Sequence, residues 1–152
     1  MRRVVITGLG VVSPIGNSSS EVLHSLKNGI SGIGFSEEMS ERGFRSQVSG
    51  NLKIDVSEKI DKRILRFMGP GAAYAYIAMT QAIEDAGLGS KDVVNYRTGL
   101  IAGSGGPSTS AILAAHQTVL EKGSTKRIGP FAVPKCMSST VSANERPSTR
   151  SM

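Results

Sequence analysis

The first apolar run, Val4-Val5-Ile6 between Arg3 and Thr7, is β-branched and closes at Gly8. Successive apolar residues without alternation predict a strand over 3–8 covered on both faces, as in a parallel sheet. Ser18-Ser19-Ser20-Glu21 follows, the spacing at which a serine hydroxyl and a glutamate carboxylate satisfy free backbone donors at a helix start. Val22, Leu23 and Leu26 form a stripe behind it and Asn28-Gly29 supplies a left-handed stop, which predicts a helix over 18–28. Strand, glycine-rich turn and capped helix together open a βαβ unit.

From Ile30 to Gly50 the pattern weakens, and the alternation of Phe44, Val48, Leu52 and Ile54 is the strand signal there. Asp55 with Glu58 makes a second capping pair, and Ile60, Ile64, Phe67 and Met68 fall at helical spacing, predicting a short helix with one buried face. Lys59, Lys62, Arg63 and Arg66 occupy a neighbouring, positive face. Gly69-Pro70-Gly71 interrupts, and residues 72–86 are apolar nearly all round before Gly87, as in a helix packed on several sides. A second strand is predicted over 98–103, parallel to the first in one sheet, and it ends in the turn Gly103-Ser104-Gly105-Gly106-Pro107. A helix over 108–122 then buries Ile112, Leu113, Val119 and Leu120. Residues 126–143 carry Pro130, Pro134 and a Ser/Thr cluster, a loop entering a further short helix. Past Asn144 there is no apolar residue before Met152, so that tail cannot contribute to a core. The fold class is α/β.

Composition narrows the function. With 152 residues, 39% of them hydrophobic and 20% charged, the chain suits one domain. The net charge of +6 favours acidic partners. No Trp, three Tyr and four Phe leave too few aromatics among the basic residues to stack nucleic acid. The lone Cys136 cannot form an internal disulfide and, with only His24 and His116 beside it in the inventory, builds no metal site, so a reducing cytoplasm is the expected compartment. The longest apolar stretch, Gly69 to Met79, is far short of a membrane span.

Thr7-Gly8-Leu9-Gly10-Val11-Val12-Ser13 invites a dinucleotide reading, but Ser13 stands at the third glycine position, Pro14 occupies the turn, and no acidic residue ends a second strand downstream. A structural turn is the better reading, and a small nucleotide- or anion-binding α/β module stays the alternative. Neither histidine has an adjacent acid or nucleophile, and Cys136, although beside Lys135, lacks a strand-to-helix elbow. Taken alone, the positive face reads equally as a solvated surface or a docking site.

Val5-Ile6-Thr7-Gly8-Leu9-Gly10-Val11-Val12-Ser13-Pro14-Ile15-Gly16-Asn17, then Gly29-Ile30-Ser31-Gly32-Ile33, then Gly99-Leu100-Ile101-Ala102-Gly103-Ser104-Gly105-Gly106 resembles the β-ketoacyl-acyl carrier protein synthases. Asp61-Lys62-Arg63, Arg66-Phe67-Met68 and the run from Met137 to Asn144 are similar to the type I bacterial enzymes of fatty-acid elongation. The resemblance covers 1–144, about the first third of a family member, and implies a chain truncated after about 144 with a non-family, disordered polar tail over 145–152. It implies a partial thiolase-like fold, the first part of the N-terminal α/β half, and an acyltransferase reaction: decarboxylative Claisen condensation of an acyl thioester with malonyl-carrier protein.

The family's nucleophilic cysteine, two histidines and a lysine fall beyond Asn144, so no catalytic residue is carried over and the chain alone is expected to be inactive. Lys62, Arg63 and Arg66 match the basic surface on which the family docks its acidic acyl carrier protein, and Lys126 and Arg127 match a second basic segment. Gly106 and Met137 match positions lining the acyl pocket near the interface of a homodimer. The resemblance implies no cofactor or metal.

Overall fold

The computed structural model describes residues 3–144, and the tail over 145–152 lies outside them. In chain order the elements are α1 (Ser19–Lys27), β1 (Gly34–Phe35), α2 (Glu37–Glu41), β2 (Val48–Ser49), α3 (Val56–Lys59), α4 (Lys62–Leu65), α5 (Pro70–Asp85), α6 (Ser90–Val93), α7 (Thr109–Lys122), a 3-10 turn (Thr125–Arg127), α8 (Ala132–Cys136) and α9 (Thr140–Asn144).

Local chemistry accounts for the helix ends. The Ser18 hydroxyl accepts from the Glu21 N–H at 3.2 Å, and the Glu21 carboxylate accepts from the Asn17 N–H at 2.7 Å, one residue before the cap. Gly29 follows with φ +62°, the left-handed stop read from the sequence. Helix α5 begins two residues earlier than predicted because Pro70 has no N–H to leave unsatisfied in a first turn. Ser108 caps α7 through the Ala111 N–H, and Gly123, at φ +61°, ends it. The helix predicted across Ile60 to Met68 is instead two single turns. Ile60 is extended between them, and the Asp61 carboxylate caps the second by accepting from the Arg63 N–H, a local bond that competes with helix continuity.

The core gathers around α5. Ala72, Ala73 and Ile77 are buried with Ile60, Met68 and Val141, flanked by Val12, Ile54, Val56 and Ile64. The alanines let neighbouring backbone come close, and α9 brings Val141 against them. Along another side of α5 lies the first segment of the chain. A Cβ on Gly8 would sit 2.2 Å from the Ala82 carbonyl oxygen, and one on Gly10 would sit 1.7 Å from that of Ala78. Hydrogen bonds hold this approach: Leu9 donates its N–H to Asp85 Oδ2 at 2.9 Å and Val11 donates to Gln81 Oε1 at 3.0 Å. Gln81 also donates through Nε2 to the Asn17 carbonyl at 2.7 Å, so one side chain ties both ends of the turn to α5. The Ser25 hydroxyl completes the attachment by donating to the Ile15 carbonyl at 2.6 Å.

The predicted parallel pair over 3–8 and 98–103 is absent: among the described residues the sole ladder is antiparallel, Gly34 opposite Ser49 and Phe35 opposite Val48. Neither run forms a strand, and among the described residues neither has a ladder partner. Without a covering strand Val4 and Ile6 are 94% and 83% exposed and Ile101 is 98% exposed. Helix α7 also departs from expectation. Ile112, Leu113 and Leu120 are exposed, and the helix has no fully buried residue, because the smaller Ala111, Ala115 and Thr118 form its inward side.

Two consequences are measurable. Gly10→Ala must displace the α5 backbone and is expected to lower unfolding free energy by about 3 kcal/mol, whereas Gly71→Ala, with open space around its Cβ within α5, is expected to raise it by about 0.5–1 kcal/mol; urea unfolding of both variants compares the signs. Unpaired apolar runs template self-association. Ile6→Lys with Ile101→Lys is therefore expected to shift sedimentation from larger species towards monomer while changing stability by less than about 0.5 kcal/mol.

Candidate functional site

Helix α4 places its cations differently from one another. Arg63 donates its backbone N–H to Asp61 Oδ1 at 2.7 Å and its guanidinium Nη2 to Oδ2 at 3.0 Å. The hydrogen bond from the Arg63 side chain holds the Asp61 carboxyl below the usual carboxylate range, and Asp61 in turn raises the guanidinium. Both side chains are largely exposed, so the pair locally offsets the Arg63 charge without adding much stability. Lys62 has no ion-pair partner among the described residues. Arg66, at the C-terminal cap of α4, has its guanidinium carbon 4.9 Å from the Phe67 ring centre and 5.2 Å from that of Phe131. The two rings meet edge to face, 5.0 Å apart at 88°, the arrangement their quadrupoles favour.

Phe131 stands immediately before α8 and four residues after Arg127, so the Cα atoms of Arg127 and Phe131 lie within about 14 Å of each other. The contact between Phe67 and Phe131 brings residue 131, four residues past the second basic segment, to the end of α4. Nothing in the sequence pattern signalled Phe131, and the helical spacing of Phe67 marked it only as a core residue.

Beyond α8 lies a cleft of about 240 Å³ lined by Gly69, Gly106, Ser108, Lys135, Met137 and Val141, among others. Gly106 and Met137 therefore share one cleft despite their separation in sequence. The glycine-rich turn is held to α8 by the Ser108 N–H, which donates to the Cys136 carbonyl at 3.1 Å. Gly69 lies so close to this junction that a Cβ would stand 2.7 Å from the Lys135 carbonyl oxygen. A second cleft of about 390 Å³, bordered by Met68, Ala111, Ala114 and Phe131, shares Gly69, Pro70 and Lys135 with the first. Small residues and hydroxyls make up most of the first cleft's wall, and Lys135 borders both clefts.

The remaining candidates stay apart. Cys136 is part-buried at the end of α8, His116 is exposed on α7, and His24 lies 3.4 Å from the Asn28 amide on α1. Among the described residues no three His, Cys, Asp or Glu are grouped as metal ligands, and no helix is long and apolar enough to cross a membrane. The glycine loop makes no phosphate cradle, since the α5 backbone fills the space against Gly8 and Gly10.

Comparison with known proteins agrees with this architecture. The family model for the β-ketoacyl synthase N-terminal domain matches residues 1–144. The chain belongs to the β-ketoacyl synthase family. It is 52% identical over 143 residues to 3-oxoacyl-(acyl-carrier-protein) synthase 1 of Haemophilus influenzae, covering 94% of this chain and 35% of that protein. It also superimposes on a β-ketoacyl synthase from Burkholderia phymatum with a TM-score of 0.77 and 29% identity, over 95% of this chain and 36% of the other. A polyketide ketosynthase solved in complex with its acyl carrier protein shares the fold, with a TM-score of 0.71 and 17% identity over 95% of this chain and 38% of that one. The chain thus spans about a third of the length of the curated relatives it matches, and its fold is the first part of a thiolase-like ketosynthase half.

Within this ketosynthase domain the Asp61–Arg63 pair gives a pH signature. A lowered folded-state value means that the stabilisation is complete above the unfolded value and is lost as pH falls through the folded one. Arg63→Gln is expected to move the Asp61 midpoint up towards the usual carboxylate range in an NMR titration, and an unchanged midpoint would show that the pair does not form.

Proposed function

We propose that this chain supplies the carrier-docking face and part of the acyl-cleft wall of a β-ketoacyl synthase of fatty-acid biosynthesis, the enzyme class that condenses an acyl thioester with malonyl-carrier protein by decarboxylation. The observation that supports the reading is the Arg66–Phe67–Phe131 contact beside Lys62 and Arg63, with Lys126 and Arg127 a few residues before Phe131 in the chain and the cleft bordered by Gly106 and Met137 at the other end of α8. An acidic acyl carrier protein fits the positive face, and the carrier-bound structure of a fold neighbour supports such a partner. A tethered acyl chain fits a small-residue cleft, and a second copy of the chain would complete the cleft's open side in a cytoplasmic homodimer.

No residue of this chain is assigned a part in the condensation chemistry. Attack on a thioester needs a thiolate with a base in reach and donors aimed at the developing oxyanion, and among the described residues no hydrogen bond is made between Cys136 and either histidine.

Opposite charge mainly accelerates encounter and is screened over about 8 Å at physiological salt. Lys62→Glu with Arg66→Glu is expected to slow association with an acidic acyl carrier protein at least tenfold at low salt and to flatten its salt dependence, as read by stopped-flow fluorescence. Unchanged association would leave the basic face as a solvated surface.

A further inference from the structure

We propose that Phe131 is a positioning residue that presents Arg66 to the acidic carrier protein, an inference that rests on the docking function proposed above. The three cations of residues 62–66 are not equivalent. Arg63 is bound to Asp61, and Lys62 makes no ion pair among the described residues. Arg66 is exposed yet lies over two aromatic faces at 4.9 and 5.2 Å. A free arginine samples many rotamers, and a partner that binds it must freeze them. Rings on which the guanidinium rests reduce that cost while leaving its outer edge able to donate to a carboxylate.

Phe67 adjoins Arg66 in sequence and cannot by itself define the arrangement, because it moves with the same turn. Phe131 comes from a distant part of the chain and meets Phe67 edge to face, so it fixes the ring pair relative to a second element. That element is α8, which starts beside Phe131 and whose C-terminal cap, Met137, lines the cleft. Six residues at helical rise put Phe131 and Met137 about 9 Å apart. One short helix therefore sets both the direction of a docking cation and the position of a cleft wall.

Association of the full 152-residue chain with an acidic acyl carrier protein, measured by stopped-flow at low and physiological salt, tests the proposal. Phe131→Ala changes no charge, and it is expected to weaken binding about three- to fivefold, the range of an exposed cation–π contact. Phe131→Leu, which keeps most of the bulk but has no ring face, is expected to do the same and decides the matter if the alanine variant does not fold. Phe131→Tyr is expected to restore the unsubstituted value. In an Arg66→Gln background, Phe131→Leu is expected to add nothing further. Equal weakening with and without Arg66 would overturn the proposal by assigning Phe131 a general structural role. Binding that depends on Lys62 and Arg66 but is indifferent to Phe131 would overturn this proposal alone, whereas no binding by the unsubstituted chain would overturn the docking function together with it.

Discussion

Close approach of the chain's first segment to the backbone of α5 is the contact on which the rest depends. At Gly8 and Gly10 the two backbones leave no room for a Cβ, and the N–H groups of Leu9 and Val11 are turned towards acceptors on Asp85 and Gln81. The spacing is self-consistent, since Ala78, Gln81, Ala82 and Asp85 all fall on one face of an α-helix. Small residues of α5 admit the segment and its polar residues fasten it. Helix α1 is then placed by two further bonds, from Gln81 to Asn17 and from Ser25 to Ile15. A larger residue at either glycine would separate the segment from α5 and loosen α1 with it.

The other end of α5 organises the functional face. Gly69 and Pro70 start the helix and border both clefts, and the close fit of Gly69 to the Lys135 carbonyl sets the distance between α5 and α8. Steric contact governs the cleft, whereas electrostatics governs the surface beside it. The charges there act in high dielectric, so each pair contributes little to stability, but under the proposed function their sum would direct an acidic partner during approach. The two kinds of interaction can therefore vary separately. On the proposed function, substituting a surface cation alters recognition while the core around Ala73 and Ile77 remains as it is.

Much of the local structure was legible because it is written within a few residues. Ser18 and Gly29 bound α1 through a bond and a dihedral preference confined to one turn, and the structure places them there. The split at Ile60 was not legible, since Asp61 as a cap competes with an equally good continuous apolar stripe. At the site, the positive face of residues 62–66 was visible as a periodicity. The seat of Arg66 against Phe131 was not visible, because Phe67 and Phe131 have no relation in sequence spacing.

By itself the sequence determined the approximate positions of α1, α5 and α7, the basic composition of one face and, through ordered motifs, the family. Tertiary structure alone decided that Gly8 and Gly10 serve packing and that Gly106 and Met137 border one cleft. It also decided that the apolar runs over 3–8 and 98–103 have no ladder partner among the described residues. The difference is physical: a helix satisfies its hydrogen bonds within its own segment, so nearby residues suffice to specify it. A strand, a cleft or a cation held between two rings exists only when separate parts of the chain meet.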